Sequence, residues 1–265
     1  MMRYIPPILF LGTMALAVPT ASAQVVPTDG SPHGMVAVGA GIVPEFDGAQ
    51  DMRAVPFVLG DVRWGDVTME FRGLRARVDL ASDPRLSAGP LIGLRLGRND
   101  ADGAVGWLPE IDMAVEAGAF VGYRFGGDRY GQGSIQVELS LAHDVSNTHN
   151  GLIATASASY AAVRTTDFFL SVDAQSSWTN ADYARTYFGV DRAGATASGL
   201  DLYRPGAGFR DIGGGMSAGY WFSLRFGVMA RAGANYLVGD IADSPITDEG
   251  RRLQPMAALA LSYRF

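Results

Sequence analysis

The sequence predicts an all-β fold, a closed antiparallel transmembrane β-barrel, on three observations. Apolar and polar residues alternate with period 2 in segments of about ten residues, the length of a tilted membrane strand. Aromatic residues gather at segment ends (Tyr123 and Phe125, Tyr220 to Phe222, Tyr263 and Phe265), where a bilayer interface would hold them. The last segment alternates Ala257, Leu259, Leu261, Tyr263 and Phe265 with Ala258, Ala260, Ser262 and Arg264. A soluble sandwich also alternates, but an amphipathic last strand closing on Phe265 favours the barrel. An open sheet edge in lipid would leave backbone groups unpaired.

The first residues carry an address. Arg3 is a thin positive region, Ile5 to Val18 are apolar, and Ala21, Ser22 and Ala23 are small. That pattern predicts a secretory signal cleaved after Ala23, giving 1–23 as signal peptide and 24–265 as the barrel. The apolar run falls short of the roughly 20 residues of a spanning helix. Beyond it no long apolar stretch follows, so helical spans are excluded. The 265 residues include no Cys, which excludes disulfides and thiolate chemistry. A net charge of -6 without a basic run argues against nucleic acid as a partner. Apart from three His, every basic residue is Arg, which suits polar networks inside a barrel. A GC-rich genome is the simpler explanation of that bias.

The faces can be read strand by strand. Met113, Val115, Ala117, Ala119, Val121, Tyr123 and Phe125 form one face, and Ala114, Glu116, Gly118, Phe120, Gly122 and Arg124 the other. Ile135, Val137, Leu139 and Leu141 oppose Gln136, Glu138 and Ser140. The patterning predicts strands at 34–43, 53–63, 66–72, 74–81, 88–97, 113–125, 133–143, 151–163, 167–178, 208–222, 224–238 and 254–265. The apolar phase switches at Arg72-Gly73, between Val67, Met69, Phe71 and Leu74, Ala76, Val78, Leu80. A hairpin there gives twelve strands and a bulge eleven; even numbers are the rule. Ten is the alternative if a marginal N-terminal pair fails to span. With a periplasmic N-terminus, the long connections 98–112, 179–207 and 239–253 emerge outside and the short ones inside, as outer-membrane barrels require. Inward charges (Arg75, Arg77, Glu116, Arg124, Glu138 and Asp173) are expected to pair within the lumen.

Several strings resemble the MipA/OmpV family of MltA-interacting outer-membrane proteins. They are Tyr187-Phe188-Gly189-Val190, preceded by Tyr183-Ala-Arg and followed by Ser198-Gly199-Leu200, and Asp240-Ile-Ala-Asp243-Ser244-Pro245-Ile246. Weaker matches are Gly89-Pro90, Gly97-Arg98-Asn99-Asp100, Glu116-Ala-Gly118-Ala-Phe120 and Pro44-Glu-Phe46-Asp-Gly48, where the family pattern has Tyr in place of Phe46. The resemblance covers essentially the whole mature chain. It implies a non-enzymatic outer-membrane scaffold that brings a lytic transglycosylase together with a penicillin-binding murein synthase. Relatives linked to antibiotic susceptibility and adhesion make the family functionally broad. The terminal strand, with Tyr263 and Phe265, looks like the signal read by the outer-membrane assembly machinery.

No catalytic, cofactor or metal site is expected. The His residues are His33, read as a solvated periplasmic residue ahead of the first strand, and His143 and His149. His143, Asp144, Ser146 and His149 form a conceivable base–orienter–nucleophile set. Adjacent strand residues point to opposite faces, however, which counts against His143 pairing with Asp144. Asp240, Asp243, Asp248 and Glu249 invite a calcium reading but lack EF-hand spacing. A turn fixed by Pro245 and capped by Asp243 or Ser244 is the preferred reading. Tyr183, Tyr187, Phe188 and Tyr203 suit either an external ligand surface or a loop folded into the barrel mouth as a plug. The expected role is the scaffold, in contact with outer-membrane lipid; a small-solute channel is the alternative and a barrel enzyme the third class.

Overall fold

The computed structural model describes residues 32–99 and 101–265. The expected signal peptide and Asp100 lie outside these residues. Twelve strands close antiparallel into one barrel in sequence order: β1 His33–Pro44, β2 Met52–Trp64, β3 Val67–Arg72, β4 Arg75–Asp79, β5 Leu86–Arg95, β6 Ala114–Phe125, β7 Ile135–Asp144, β8 Leu152–Arg164, β9 Phe168–Thr179, β10 Gly208–Trp221, β11 Phe226–Leu237 and β12 Leu253–Arg264. The ring closes where β1 pairs with β12, Val38 opposite Leu261. Beyond that ladder, Gly34 and Phe265 exchange backbone hydrogen bonds of 3.0 and 3.1 Å. No helix among the described residues is long and apolar enough to cross a membrane. The strands do the crossing.

Alternation sorts the side chains as the sequence requires. Val38, Ile42, Val121, Leu139, Leu141, Leu259 and Leu261 stand exposed on the outer wall, an apolar surface suited to lipid. At one end Tyr123, Phe125, Tyr220, Phe226 and Tyr263 ring the wall, and Phe209 and Tyr236 sit at the other. Short turns join the strands at the first end and long loops at the second, which makes these the periplasmic and external ends of an outer-membrane barrel.

The phase switch at Arg72-Gly73 is a hairpin. Gly73 takes φ 61°, a left-handed value that a side chain would strain, and Arg72 pairs with Arg75 across the turn. β3 and β4 hold six and five residues, fewer than the roughly 9–11 needed to span. β4 is shorter than the expected 74–81 because the Asp79 carboxylate accepts from the N–H groups of Ala81 and Ala88, both at 3.0 Å, in place of ladder bonds. His33 departs from its expected place. It is the first residue of β1, half-buried and opposite Arg63, because the β1–β2 ladder runs one residue further than its apolar pattern.

Four short helices lie in the external loops: α1 Ala181–Phe188, α2 Arg192–Ser198, α3 Gly239–Ala242 and α4 Pro245–Asp248. Asn180 caps α1 by accepting from the Tyr183 N–H, and Asp191 caps α2 by accepting from that of Gly194.

Candidate functional site

The external loops fold inward over the barrel mouth. α1 carries Tyr183, Ala184, Tyr187 and Phe188 into an apolar cluster with Ile111, Ile153, Leu237 and Ile241. Tyr183 and Phe188 are fully buried. Of the two readings of the loop aromatics, the plug is the one observed. A second cluster sits beside it: Val105, Leu108, Val190 and Ile246 are buried, with Phe46, Leu200 and Tyr203 packed against them.

Strings far apart in sequence meet here. Ser244 Oγ donates to the Phe188 carbonyl at 2.7 Å and accepts from the Ile246 N–H, capping α4. Pro245 holds the first position of that helix, so the Asp-Ser-Pro turn is capped by Ser244. Asp243 instead faces the exposed Arg252 at 3.2 Å. Asp240 accepts from the Gly206 N–H, and its carbonyl accepts from the Tyr203 hydroxyl, both at 2.8 Å. Val190 and Tyr203 form a bridge. Gly189 ends α1 where a Cβ would lie 2.4 Å from the Arg185 carbonyl oxygen, so a side chain is barred. Arg98 donates to the Tyr187 carbonyl at 3.0 Å.

Beneath the plug a polar cluster, buried except for the half-buried Asp47, ties it to the wall. The Tyr183 hydroxyl accepts from Arg95 at 3.1 Å and Arg210 at 3.0 Å, and donates to Asp47 at 2.8 Å. Burial pushes the Tyr183 hydroxyl well above its ordinary value, against the pull of Arg95, so it keeps the proton it donates. Burial raises Asp47 as well, but the Arg210 and Arg95 guanidiniums outweigh it and hold the carboxyl below 3.8. Arg95 also donates to Glu116, and Arg210 pairs with Asp211. His149 completes the cluster. Its Nδ1 accepts from the Gly151 N–H, so Nε2 carries the hydrogen and faces Glu116 at 3.4 Å, with Tyr183 and Tyr187 against the ring.

This arrangement separates the conceivable catalytic set. His143 is exposed and donates to the Gly151 carbonyl, while Asp144 is buried on the opposite face. Both Asp144 oxygens are taken by the next loop, from Ser146, His149 and Asn150. Among the described residues no group of three or more His, Asp or Glu is placed to hold a metal ion.

Below the plug the lumen is filled in layers. Glu70 lies between Arg72 at 2.9 Å and Arg77 at 2.6 Å, and Arg77 reaches Glu138 at 2.6 Å. Arg231 grips Asp173 with both terminal nitrogens, and Arg75 stands 3.9 Å from Glu116. Of the expected inward charges, Arg75, Arg77, Glu116, Glu138 and Asp173 are seen in ion pairs, and Arg124 lines the periplasmic vestibule. Sequence reasoning missed Asp47, Glu70, Arg72, Arg95, Arg210 and Arg231. Strand parity alone points Glu70, Arg72, Arg95 and Arg231 inward. Phe57, Leu59, Phe169, Trp221 and Met229 fill the remaining section as an apolar cluster. At the periplasmic end the lumen widens into an open cavity of about 770 Å³, lined by Asp61, Arg63, Asp79, Arg124, Arg164 and Arg264 among others.

The model of the family described as MltA-interacting protein MipA matches residues 36–265. The chain belongs to the MipA family. Its MipA-like strings at 187–190, 240–246 and 44–48, with Arg98, thus meet at one object, the plug, whereas those at 89–90 and 116–120 lie in the wall strands β5 and β6. No curated protein matches the chain. Among solved structures, the COG4313 outer membrane channel from Pseudomonas putida F1 is similar at 12% identity, covering 91% of this chain and all of that one, with TM-score 0.42. The NanC porin shows 8% identity, coverage of 87% and 99%, and TM-score 0.41. OmpT, an outer membrane protein of Vibrio cholerae, shows 10% identity, coverage of 92% and 100%, and TM-score 0.39.

Proposed function

We propose that this MipA-family barrel is a non-enzymatic outer-membrane scaffold linking murein-degrading and murein-synthesising enzymes. The observation that carries the reading is the fully buried Tyr183 and Phe188 in loops that fold inward over the barrel mouth. A channel needs a water path, whereas here the plug, the ion pairs and the aromatic cluster fill the lumen in succession. A scaffold needs only a rigid body held at the right membrane face. The family description, MltA-interacting, points to a lytic transglycosylase as the first partner. A penicillin-binding synthase is the second partner in this reading.

Murein lies on the periplasmic side, so the docking face is the periplasmic rim. The mature chain in this reading starts near Gln24, after the signal is removed. The strand ending in Tyr263 and Phe265 serves the assembly machinery, and Tyr187 to Val190 with Asp240, Asp243, Ser244 and Pro245 serve the plug. Mild crosslinking in intact envelopes, followed by affinity capture of the barrel, tests the partners. Recovery of a lytic transglycosylase supports the scaffold; recovery of lipid and assembly factors alone contradicts it.

A further inference from the structure

The short β3–β4 hairpin leaves a notch in the barrel wall. β2 pairs with β3 only from Leu59 to Trp64, with one further bond from the Gly73 N–H to the Val58 carbonyl. β4 follows β5 only up to the bond from the Leu94 N–H to the Leu74 carbonyl. Above that level no backbone hydrogen bond among the described residues joins β2 to β5. The free β2 edge from Met52 to Phe57 is about 20 Å long, and at the usual tilt it rises roughly 15 Å, half the hydrocarbon core. The notch therefore opens sideways into the external leaflet.

Its chemistry is that of an amphiphile site. Unpaired backbone groups facing lipid are costly. In β2 the groups turned to the gap share the phase of Val58, which places Pro56, with no N–H to leave unpaired, at the centre of the free edge. Behind the gap the lumen wall is apolar, with Val43, Val55 and Met256 buried together and Leu74 packed on them from the hairpin tip. At the external rim, Arg53 has Nε and Nη2 buried without a hydrogen-bond partner. Arg251, whose Nε is likewise unpartnered, touches the Met52 sulfur at the top of the same strand. Glu45 acts on Arg53 from the first loop but leaves its Nε and Nη2 without a hydrogen-bond partner. Apolar depth below and these cationic donors above match one molecule, a lipid with an anionic headgroup.

We propose that the notch holds an acyl chain of an anionic lipid of the external leaflet, its phosphate on Arg53 and Arg251 and its chain against Val55, Leu74 and Met256. The test uses the full barrel reconstituted with phosphatidylglycerol bearing a diazirine near the chain end, with crosslinked residues mapped by mass spectrometry. The expected result is labelling of the inward-facing Val55 or Met256 as well as the outward-facing Val58 and Leu261. Labelling confined to outward-facing residues would overturn the proposal. Diazirine-phosphatidylcholine should give several-fold less inward labelling, and Arg53→Gln should lower the phosphatidylglycerol yield to that level while outward labelling stays constant. Equal inward yields from the two lipids would overturn the headgroup assignment.

Discussion

Ser244 Oγ donates to the Phe188 carbonyl at 2.7 Å, joining two external loops 56 residues apart in sequence. The same oxygen caps α4, so one hydroxyl both shapes its own loop and locks the other. Ser244→Ala leaves a buried carbonyl unpaired and a helix uncapped, a cost of about 1–3 kcal/mol. The expected outcome is an intact barrel with loosened loops. External protease should cut 180–207 faster in the variant, while the heat-dependent gel shift of the barrel is retained.

Tyr183 is the hub beneath the plug. Tyr183→Phe keeps the ring but removes the partner of two arginines and Asp47, for an expected loss of about 1–3 kcal/mol in plug docking. Hydrogen exchange of α1 should rise while exchange of β8 and β9 stays unchanged.

Asp47 gives the plug a pH dependence with a definite sign. Its folded value is below 3.8, so its stabilisation is present above 3.8 and is lost as pH falls through the folded value. The plug should therefore hold at about pH 5 and loosen only in stronger acid. Asp47→Asn should remove that acid step and loosen the plug at neutral pH. Protease sensitivity of the external loops, followed against pH, reads both effects.

The Arg77–Glu138 pair fills the lumen at 2.6 Å with both side chains largely buried. Removing one partner strands a buried charge, which costs about 3–5 kcal/mol, whereas replacing both with apolar residues is near neutral. Arg77→Leu and Glu138→Leu should each lower the urea midpoint of the reconstituted barrel. The double variant should recover only part of the loss, because the buried Glu70 still lacks its contact with Arg77 and keeps Arg72 alone.

The wall of this protein was legible because a strand writes its environment into a two-residue period. Glu116 and Glu138 alternate with Val115 and Leu139 as the lumen alternates with lipid, and the slip at Gly73 marked the hairpin. That the hairpin stops halfway up the wall was not legible, since it depends on where β2 and β5 end relative to each other. The plug was legible only as aromatic residues in need of burial. Which loops meet there is decided by contacts such as Arg98 with Tyr187, 89 residues away, and these leave no local period. His143 and Asp144 show the reverse case, because parity alone placed them on opposite faces.

Planar-bilayer recording of the purified wild-type barrel tests the central claim, a lumen closed by its own plug and ion pairs, most directly. The account predicts stable insertion without steady conductance, confirmed by the heat-dependent gel shift of the recovered protein. Regular ohmic steps from the wild-type chain would contradict it and restore the channel reading.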